Sequence, residues 1–437
     1  MIDRRTLLAG AGAMMAAPAI ARMRKAPNPD FPKGFLWGAA TAGHQVEGNN
    51  INSDLWLLEH IKPSIFAEPS GDAVNSFALW PQDLDLVRGL GLNAYRFSLE
   101  WSRIEPEPGL FSLAMLDHYK AIVDGCRARG LTPIVTYNHF TSPRWFAARG
   151  GWLNKEAPGL FARFCERATS HLGAGSGSAI TMNEPNLLRL LRALDVLPPQ
   201  AIAGQRAMLQ AAARATGSEK YVPQNVTNFE DLDAMLPNMI AGHKAGRAAI
   251  KGVRADLPVG VSLALLDDQA SGPNSLRDAK RAEIYGAWLE AAKGDDFLGV
   301  QNYERVMWGD KGKLPAPAGA RVNWGGSEVH APSLAGAVRY AHRVTGLPIM
   351  VTEHGIGTDD DRLRAEFIPA ALAELKEAMD DGVKVTGYIH WSLLDNFEWI
   401  FGYKPKFGLV SVDRTNFKRT PKPSASVLGA IARRNSL

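Results

Sequence analysis

The chain of 437 residues is long enough to bury a sizeable core, and its length fits one large barrel domain as readily as two or three average domains. It carries 49 Lys and Arg against 45 Asp and Glu, a formal net charge of +4, and no block of like charge stands out along it. This even balance argues against a nucleic-acid partner.

The first residues read as an export signal. Arg4 and Arg5 precede a mildly apolar run over residues 6–20, which ends in the small-residue sequence Ala19-Ile20-Ala21. The run is short and rich in Ala and Gly, whereas a membrane-spanning helix needs about 20 strongly apolar residues. The paired arginines favour the twin-arginine route. We therefore expect a signal peptide over residues 1–21 and a periplasmic or secreted mature protein without a membrane anchor.

Eight short apolar runs follow, and each precedes a loop and a helix-like stretch, the alternation typical of parallel strands with crossover helices. The runs are residues 35–41, 93–99, 132–139, 179–185, 259–266, 297–303, 348–355 and 386–395. Eight such repeats close a barrel. No Pro-, Gly- or Ser-rich linker divides the chain. The sequence thus predicts an α/β fold in which residues 22–437 form a single (β/α)8 TIM barrel with decorated loops.

Helical periodicity is clearest in residues 79–92, 236–253 and 333–344. The two longest connections, residues 186–235 and 304–332, are interrupted by prolines and are predicted to be irregular. In a barrel, loops of this kind shape the mouth.

Only two cysteines occur, Cys126 and Cys165, each within a helix-like stretch. Buried free thiols are the favoured interpretation, with a single disulfide left open. Neither metal-ligand spacing nor a CxxC motif is present, so we expect no metal and no cofactor.

Several predicted strands end in a polar or aromatic residue, at the edge that forms the catalytic face of a barrel. These residues are Arg96, His139, Asn183, Glu184, Tyr303, Glu353 and Trp391. A carboxylate inside an apolar run is unfavourable unless it is paired, so two of them in one barrel indicate catalysis. Two carboxylates with aromatic platforms suit glycoside hydrolysis. In its retaining version one carboxylate attacks the anomeric carbon and the other protonates the leaving oxygen.

At these residues the chain resembles glycoside hydrolase family 1, the β-glucosidase-like retaining β-glycosidases. The resemblance covers residues 35–413 and rests on motifs in the right order and spacing. They are FLWGAATAGHQVEG, AYRFSLEWSRIEP, TMNEPN, VTEHG, HWSLLDNFEW and GYKPKFGLVSVD.

The resemblance implies roles at the matching positions. Glu184 corresponds to the acid/base and Glu353 to the nucleophile. Arg96 and the Tyr303 hydroxyl would hold Glu353 ionised, and Asn183 would bond the sugar 2-hydroxyl. The remaining substrate-binding positions are Gln45, His139, Trp391, Glu398 and Trp399. The implied substrate is a glycoside or oligosaccharide with a neutral, terminal, non-reducing β-linked sugar.

The chain departs from the family pattern at several positions. His354 follows the nucleophile where the family usually has Asn, and Phe140 follows the sugar-binding histidine where it usually has Trp. Residues 141–143 read Thr-Ser-Pro, and Gly43-His44 precede Gln45 in place of a small-aromatic pair. Neither carboxylate is affected, so we expect these changes to alter substrate preference rather than remove the reaction.

Other functions stay open from the sequence. A transglycosidase of the same fold would use an acceptor sugar in place of water, and a catalytically inactive barrel would only bind sugar. The presence of both glutamates with Arg96 and Tyr303 argues against the second. The sugar itself (glucose, galactose, fucose or xylose), the leaving group and the oligomeric state are not set by the sequence.

The leader gives the first testable prediction. We expect cleavage near Ala21, because the small-residue site follows the apolar run there. N-terminal sequencing of the protein recovered from its native host measures this directly. Intact Met1 on the exported protein would contradict the prediction.

Overall fold

The computed structural model describes residues 30–437. The predicted leader lies outside these residues. In the part that the structure describes, no helix is both long and apolar enough to cross a membrane.

Eight parallel strands form a closed barrel, as predicted. They are β1 (Leu36–Ala40), β2 (Ala94–Ser98), β3 (Thr132–Asn138), β4 (Ser178–Asn183), β5 (Val259–Ala264), β6 (Phe297–Asn302), β7 (Ile349–His354) and β8 (Val385–His390). Each strand pairs with its neighbours in chain order, and β1 closes the barrel against β8 through pairs such as Trp37 with Tyr388. All eight predicted apolar runs are therefore strands of one sheet.

One main helix follows each strand. These helices are α1 (Ser76–Gly89), α2 (Leu113–Ala128), α3 (Ala157–Leu172), α4 (Leu232–Val253), α5 (Ala287–Ala292), α6 (Ser333–Thr345), α7 (Asp361–Asp380) and α8 (Pro423–Arg434). The predicted helical segments 236–253 and 333–344 lie within α4 and α6, and the segment 79–92 overlaps α1, which ends three residues earlier at Gly89.

The two sides of the sheet are packed differently. Side chains at alternate positions point into the barrel, where residues such as Ile134, Ile180, Phe297 and Ile389 form an apolar plug. The other side of each strand packs against the ring of helices in a larger core. Cys126 and Cys165 are both free and buried in this outer core, as expected. The closed plug leaves only the rim, at the carboxyl ends of the strands, for a site.

The prediction of an irregular connection over residues 186–235 was wrong in part. Two helices occupy most of it, Leu187–Leu194 and Pro199–Thr216. The second begins with Pro199 in its first turn, where proline is tolerated because that N–H has no partner within a helix. In this connection Pro199 therefore marks a helix start rather than a break. The connection over 304–332 contains the short strand Arg305–Trp308 and is otherwise irregular.

A buried ion pair fixes the hairpin formed by Val410–Asp413 and Lys418–Pro421 against α1. Arg419 Nε lies 2.9 Å from Asp83 Oδ1, and the two side chains are only 4% and 1% exposed. Ser76 donates a further hydrogen bond to Asp83 Oδ2 at 2.6 Å. Removing one partner of such a pair leaves a charge buried without compensation.

We therefore expect Arg419→Leu to lower the free energy of unfolding by about 3 to 5 kcal/mol. The matched control is Arg321→Leu, because Arg321 pairs with Glu366 at the same 2.9 Å but with side chains 59% and 64% exposed. That change should cost less than about 1 kcal/mol. Urea unfolding of both variants measures the difference, and equal losses would contradict the prediction.

Candidate active site

The two glutamates lie at the rim on separate walls of the barrel. Glu353 is the fifth residue of β7, and Glu184 comes directly after β4. Both are buried, with 3% and 8% of their surface exposed. The backbone N–H of Glu184 donates to Ser262 O on β5 at 2.8 Å, which ties the residue to the barrel beyond the end of its strand.

A β-bulge turns each of these strands. On β7, Val351 pairs with Val300 but Glu353 pairs with the next residue, Gln301, so that Thr352 is the extra residue. On β4, Ile180 pairs with Gly260 and Asn183 with Ser262, which leaves one extra residue between them. Bulges redirect the side chains that follow them. Here each bulge brings a polar side chain, Glu353 or Asn183, to the inner face.

Glu353 is held by two donors. Arg96 Nη1 donates to Oε1 at 2.5 Å, and the Tyr303 hydroxyl donates to Oε2 at 2.6 Å. The Arg96 side chain is itself buried, and it also donates to Thr352 O at 3.0 Å and to Thr136 Oγ1 at 3.1 Å. Both carboxylate oxygens thus have a fixed partner, so Glu353 has a defined orientation.

Glu184 has different surroundings. It lines a cleft whose other walls are largely apolar, including Phe140, Pro185, Leu232, Met235 and Met239. Burial in this setting, together with the negative charge of Glu353, raises the pKa of Glu184 well above its ordinary value. Burial also raises the pKa of Glu353, but there the Arg96 guanidinium and the Tyr303 hydroxyl act in the opposite direction. The pair therefore favours a proton on Glu184 and the charge on Glu353.

The five predicted substrate-binding residues lie close to one another. The His139 ring stacks on Trp391 and on Trp399, with centroid distances of 5.6 and 6.2 Å. Gln45 Nε2 donates to Phe397 O at 2.7 Å, which places Gln45 beside Glu398. Burial raises the pKa of Glu398 well above its ordinary value, with the nearby Glu353 charge as a second cause. Burial lowers the pKa of His139, so its imidazole is neutral.

Three of these residues present buried polar atoms that have no hydrogen-bond partner in the described part of the chain. The atoms are Gln45 Oε1, His139 Nδ1 and Glu398 Oε1. Buried polar groups nearly always have partners, so an exception in a cleft requires an explanation. Sugar hydroxyls both donate and accept hydrogen bonds, and they suit all three atoms.

The departures from the family pattern lie in different places. His354 faces outward, because its ring stacks on Phe367 of α7 at 5.1 Å and its Nδ1 lies 2.9 Å from the Tyr388 hydroxyl. His354 therefore packs against the helical shell, and its ring does not face the sugar site. Phe140 does belong to the site, since its ring meets Trp399 edge-on at 5.3 Å.

His44 supports the site from behind. Its Nε2 lies 2.7 Å from Glu59 Oε1, and its ring stacks on Trp399 at 5.8 Å with an angle of 5°. Burial lowers the pKa of His44, but the carboxylates of Glu59, Glu100 and Asp54 together raise it above its ordinary value. These carboxylates therefore favour the protonated form of a ring that stacks on Trp399. Thr141 also lies behind the site, where its hydroxyl donates to buried Glu100 at 2.7 Å.

Sequence reasoning missed one feature of the site and one feature of the surface. Gln301 donates from Nε2 to Asn183 Oδ1 at 2.6 Å. Gln301 lies two residues before Tyr303. Side chains alternate between the two faces of a strand, so the sequence could have placed Gln301 on the same face as Tyr303. The second feature is an aromatic pair at the surface, Trp324 and Phe401, which are 41% and 48% exposed and meet edge-on at 5.0 Å.

Within residues 30–437, no group of three or more His, Cys, Asp or Glu side chains is arranged to hold a metal ion. The arrangement is that of a paired-carboxylate site with a buried cation. The sequence matches the family model for Glycosyl hydrolase family 1 over residues 28–233 and 321–437, more than half of the chain. The chain belongs to glycosyl hydrolase family 1.

Relatives of this family 1 chain agree over almost its whole length. It is 29% identical to a β-glucosidase of an Agrobacterium species, over 92% of this chain and 95% of that one. It is 30% identical to the cytosolic β-glucosidase of Homo sapiens, over 93% and 99%. A crystal structure of the β-glycosidase BGL167 superposes with a TM-score of 0.88 at 47% identity, covering 94% of this chain and 98% of that one.

A second solved structure, the apo form of a β-glucosidase named 1317, also superposes with a TM-score of 0.88, at 44% identity. This superposition covers 92% of the present chain and 98% of the β-glucosidase chain. The family 1 chain is therefore a glycoside hydrolase of the retaining β-glycosidase type. Of the functions left open by the sequence, this is the one that the comparisons support.

The charge on Glu353 is one cause of the raised pKa of Glu184, and this can be tested apart from catalysis. Glu353→Gln removes that charge, so the pKa of Glu184 should fall while burial keeps it above the ordinary value. Carbon-13 NMR titration of the glutamate side-chain carboxyls measures the change. Glu366→Gln, at an exposed residue, is the control and should leave the pKa of Glu184 unchanged. An unaltered pKa in both variants would show that the two carboxyls do not interact.

Proposed function

We propose that this family 1 glycosidase releases a neutral sugar from the non-reducing end of a β-glycoside, with Glu353 as nucleophile and Glu184 as acid/base. The observation that carries the assignment is the asymmetry between the two carboxyls. Glu353 receives Arg96 and Tyr303 on its two oxygens, whereas Glu184 lies against apolar side chains. An ionised, oriented carboxylate suits attack, and a protonated one suits proton donation.

The reaction then proceeds in two displacements. In the first, a Glu353 oxygen bonds to the anomeric carbon as the bond to the leaving oxygen breaks, and Glu184 gives its proton to that oxygen. In the second, Glu184 takes a proton from water, the water oxygen bonds to the anomeric carbon, and Glu353 leaves as a carboxylate. Each displacement inverts the anomeric carbon, so the product keeps the β configuration.

The charge of Glu353 supports the change of role at Glu184. While Glu353 is ionised, its charge raises the pKa of Glu184 and favours the acid form. Once Glu353 is esterified to the sugar, that repulsion is lost, the pKa of Glu184 falls, and the residue becomes a base. The same two residues therefore support both steps without a further titratable group.

The outer hydroxyls of the sugar are assigned to Gln45, His139, Glu398 and Trp399, with Trp391 as the floor. The buried atoms without a partner on Gln45, His139 and Glu398 support this assignment. Asn183 is assigned to the 2-hydroxyl. A neutral sugar is favoured over a 6-phosphosugar because the Glu353 carboxylate would repel a dianionic phosphate, and the buried Glu398 carboxyl brings no positive charge to balance one. Lys404 and Lys406 lie near Glu398 in the sequence and are the evidence in favour of a phosphate, but Lys406 donates to Tyr403 O at 2.8 Å.

We also propose that the enzyme is exported by the twin-arginine route and acts in the periplasm or outside the cell. The support is the leader, with its Arg4-Arg5 pair and the small residues before Ala21.

Azide rescue distinguishes the two roles by stereochemistry. With Glu353→Ala, no covalent intermediate forms, and activity should fall by about 10⁴-fold or more. Azide enters from the vacated face and, from a β-glycoside with a good leaving group, should give an α-glycosyl azide by one inversion.

With Glu184→Ala, Glu353 still attacks and an activated aryl group still departs, but water is no longer deprotonated. The intermediate should accumulate, and azide should give a β-glycosyl azide by two inversions. Proton NMR of the anomeric signal identifies each product. The same anomer from both variants, or rescue of neither, would overturn the assigned roles.

A further inference from the structure

The side-chain amide of Asn183 is held at its oxygen by two donors. Arg96 Nη2 donates to Oδ1, and Gln301 Nε2 donates to the same oxygen at 2.6 Å. All three residues are buried, with at most 1% of their surface exposed. An amide oxygen has two lone pairs, so both are used. Asn183 Oδ1 therefore has no capacity left for a substrate hydroxyl.

The nitrogen of the same amide is almost free. Its one hydrogen-bond contact in the described chain is with His139 Nε2 at 3.4 Å, near the outer limit for a hydrogen bond. Because the oxygen is filled and the nitrogen is available, Asn183 can meet a sugar only as a donor. In this orientation the amide can donate to the oxygen of the sugar 2-hydroxyl, and hydrogen bonds to that hydroxyl strengthen in the transition state.

Arg96 alone does not fix the plane of the amide. The χ2 torsion of Asn has broad minima, so one hydrogen bond leaves the amide free to tilt. A second donor from another direction removes that freedom. Arg96 also has other partners, since it donates to Glu353 and Thr352. When Glu353 is esterified, Arg96 loses the charge of its main partner, whereas the neutral bond from Gln301 does not change.

Gln301 reaches Asn183 from two strands away. It lies on β6 and Asn183 on β4, with β5 between them. The inward-facing residue of β5 paired with Asn183 is Ser262, which is small enough for a longer side chain to pass over it. The span suits Gln, while Asn at position 301 would be shorter by one methylene.

We propose that Gln301 is a positioning residue that fixes the Asn183 amide with Nδ2 toward the sugar 2-hydroxyl. The proposal rests on the function assigned to Asn183 above. Gln301 itself does not touch the reacting atoms. Because Gln301 acts only on the contact with the sugar 2-hydroxyl, its removal should lower activity only on substrates that have this hydroxyl. Removal of a merely structural residue would lower activity on all substrates.

The experiment compares two substrates, 4-nitrophenyl β-glucoside and its 2-deoxy analogue. Gln301→Met keeps the length of the side chain but removes the donor. With the glucoside, kcat/KM should fall by about 10- to 100-fold, mainly in kcat, because the 2-hydroxyl contact strengthens in the transition state. With the 2-deoxy substrate the loss should be less than about 3-fold, since the contact is absent there.

Two further variants serve as controls for misfolding. Gln301→Asn retains a buried amide but is too short, and it should show the same selective loss. Ser262→Ala removes an inward-facing buried hydroxyl that has no partner in the described chain, and it should leave the ratio between the substrates unchanged. Thermal unfolding of each variant checks that the barrel is intact.

The double variant of Asn183→Ala with Gln301→Met should be no worse than Asn183→Ala alone, because Gln301 acts through Asn183. Equal losses on both substrates in the Gln301 variants, or additive losses in the double variant, would overturn the proposal. If Asn183→Ala leaves the substrate ratio unchanged, the assigned role of Asn183 fails, and the positioning role fails with it. If Asn183→Ala lowers the ratio of kcat/KM between the glucoside and its 2-deoxy analogue but Gln301→Met does not, only the positioning role is refuted.

Discussion

The site depends on one buried cation. Arg96 lies inside the barrel, where a guanidinium is stable only if its donors are satisfied and its charge is balanced. Glu353 supplies the balancing charge, while Thr136 and Asn183 accept further hydrogen bonds. These partners come from β7, β3 and β4. A single side chain on β2 thus links four strands and sets the orientation of a carboxylate and an amide at once.

Sequence periodicity was sufficient for the barrel because each strand needs only an apolar run of the right length, and the eight runs from 35–41 to 386–395 have it. The polar strand ends were equally visible, since Glu184 and Glu353 interrupt apolar segments. The helix Pro199–Thr216 was missed because a proline at a helix start looks like a proline in a loop. Local pattern therefore located the barrel strands better than the helices of this connection.

The inner geometry of the site was beyond the sequence for a definite reason. Strict alternation from Met350 would place Thr352 inward and Glu353 outward, and only the bulge at Thr352 reverses this. A bulge depends on pairing with the neighbouring strand, which a single chain segment does not encode. The same shift turns His354 outward, where its ring stacks on Phe367. This departure from the family pattern therefore changes the packing behind the barrel wall. Gln301 was overlooked because its partner lies two strands away.

The unpartnered atoms on Gln45, His139 and Glu398 also bear on how this enzyme tolerates engineering. Buried polar groups that are arranged for a substrate rather than for a protein partner favour binding at the expense of stability. Apolar residues of similar size at those positions would abolish sugar recognition even where they stabilised the fold. Screening for thermostable variants without an activity assay would therefore select against the catalytic centre. Stabilising substitutions are better sought in the helical shell.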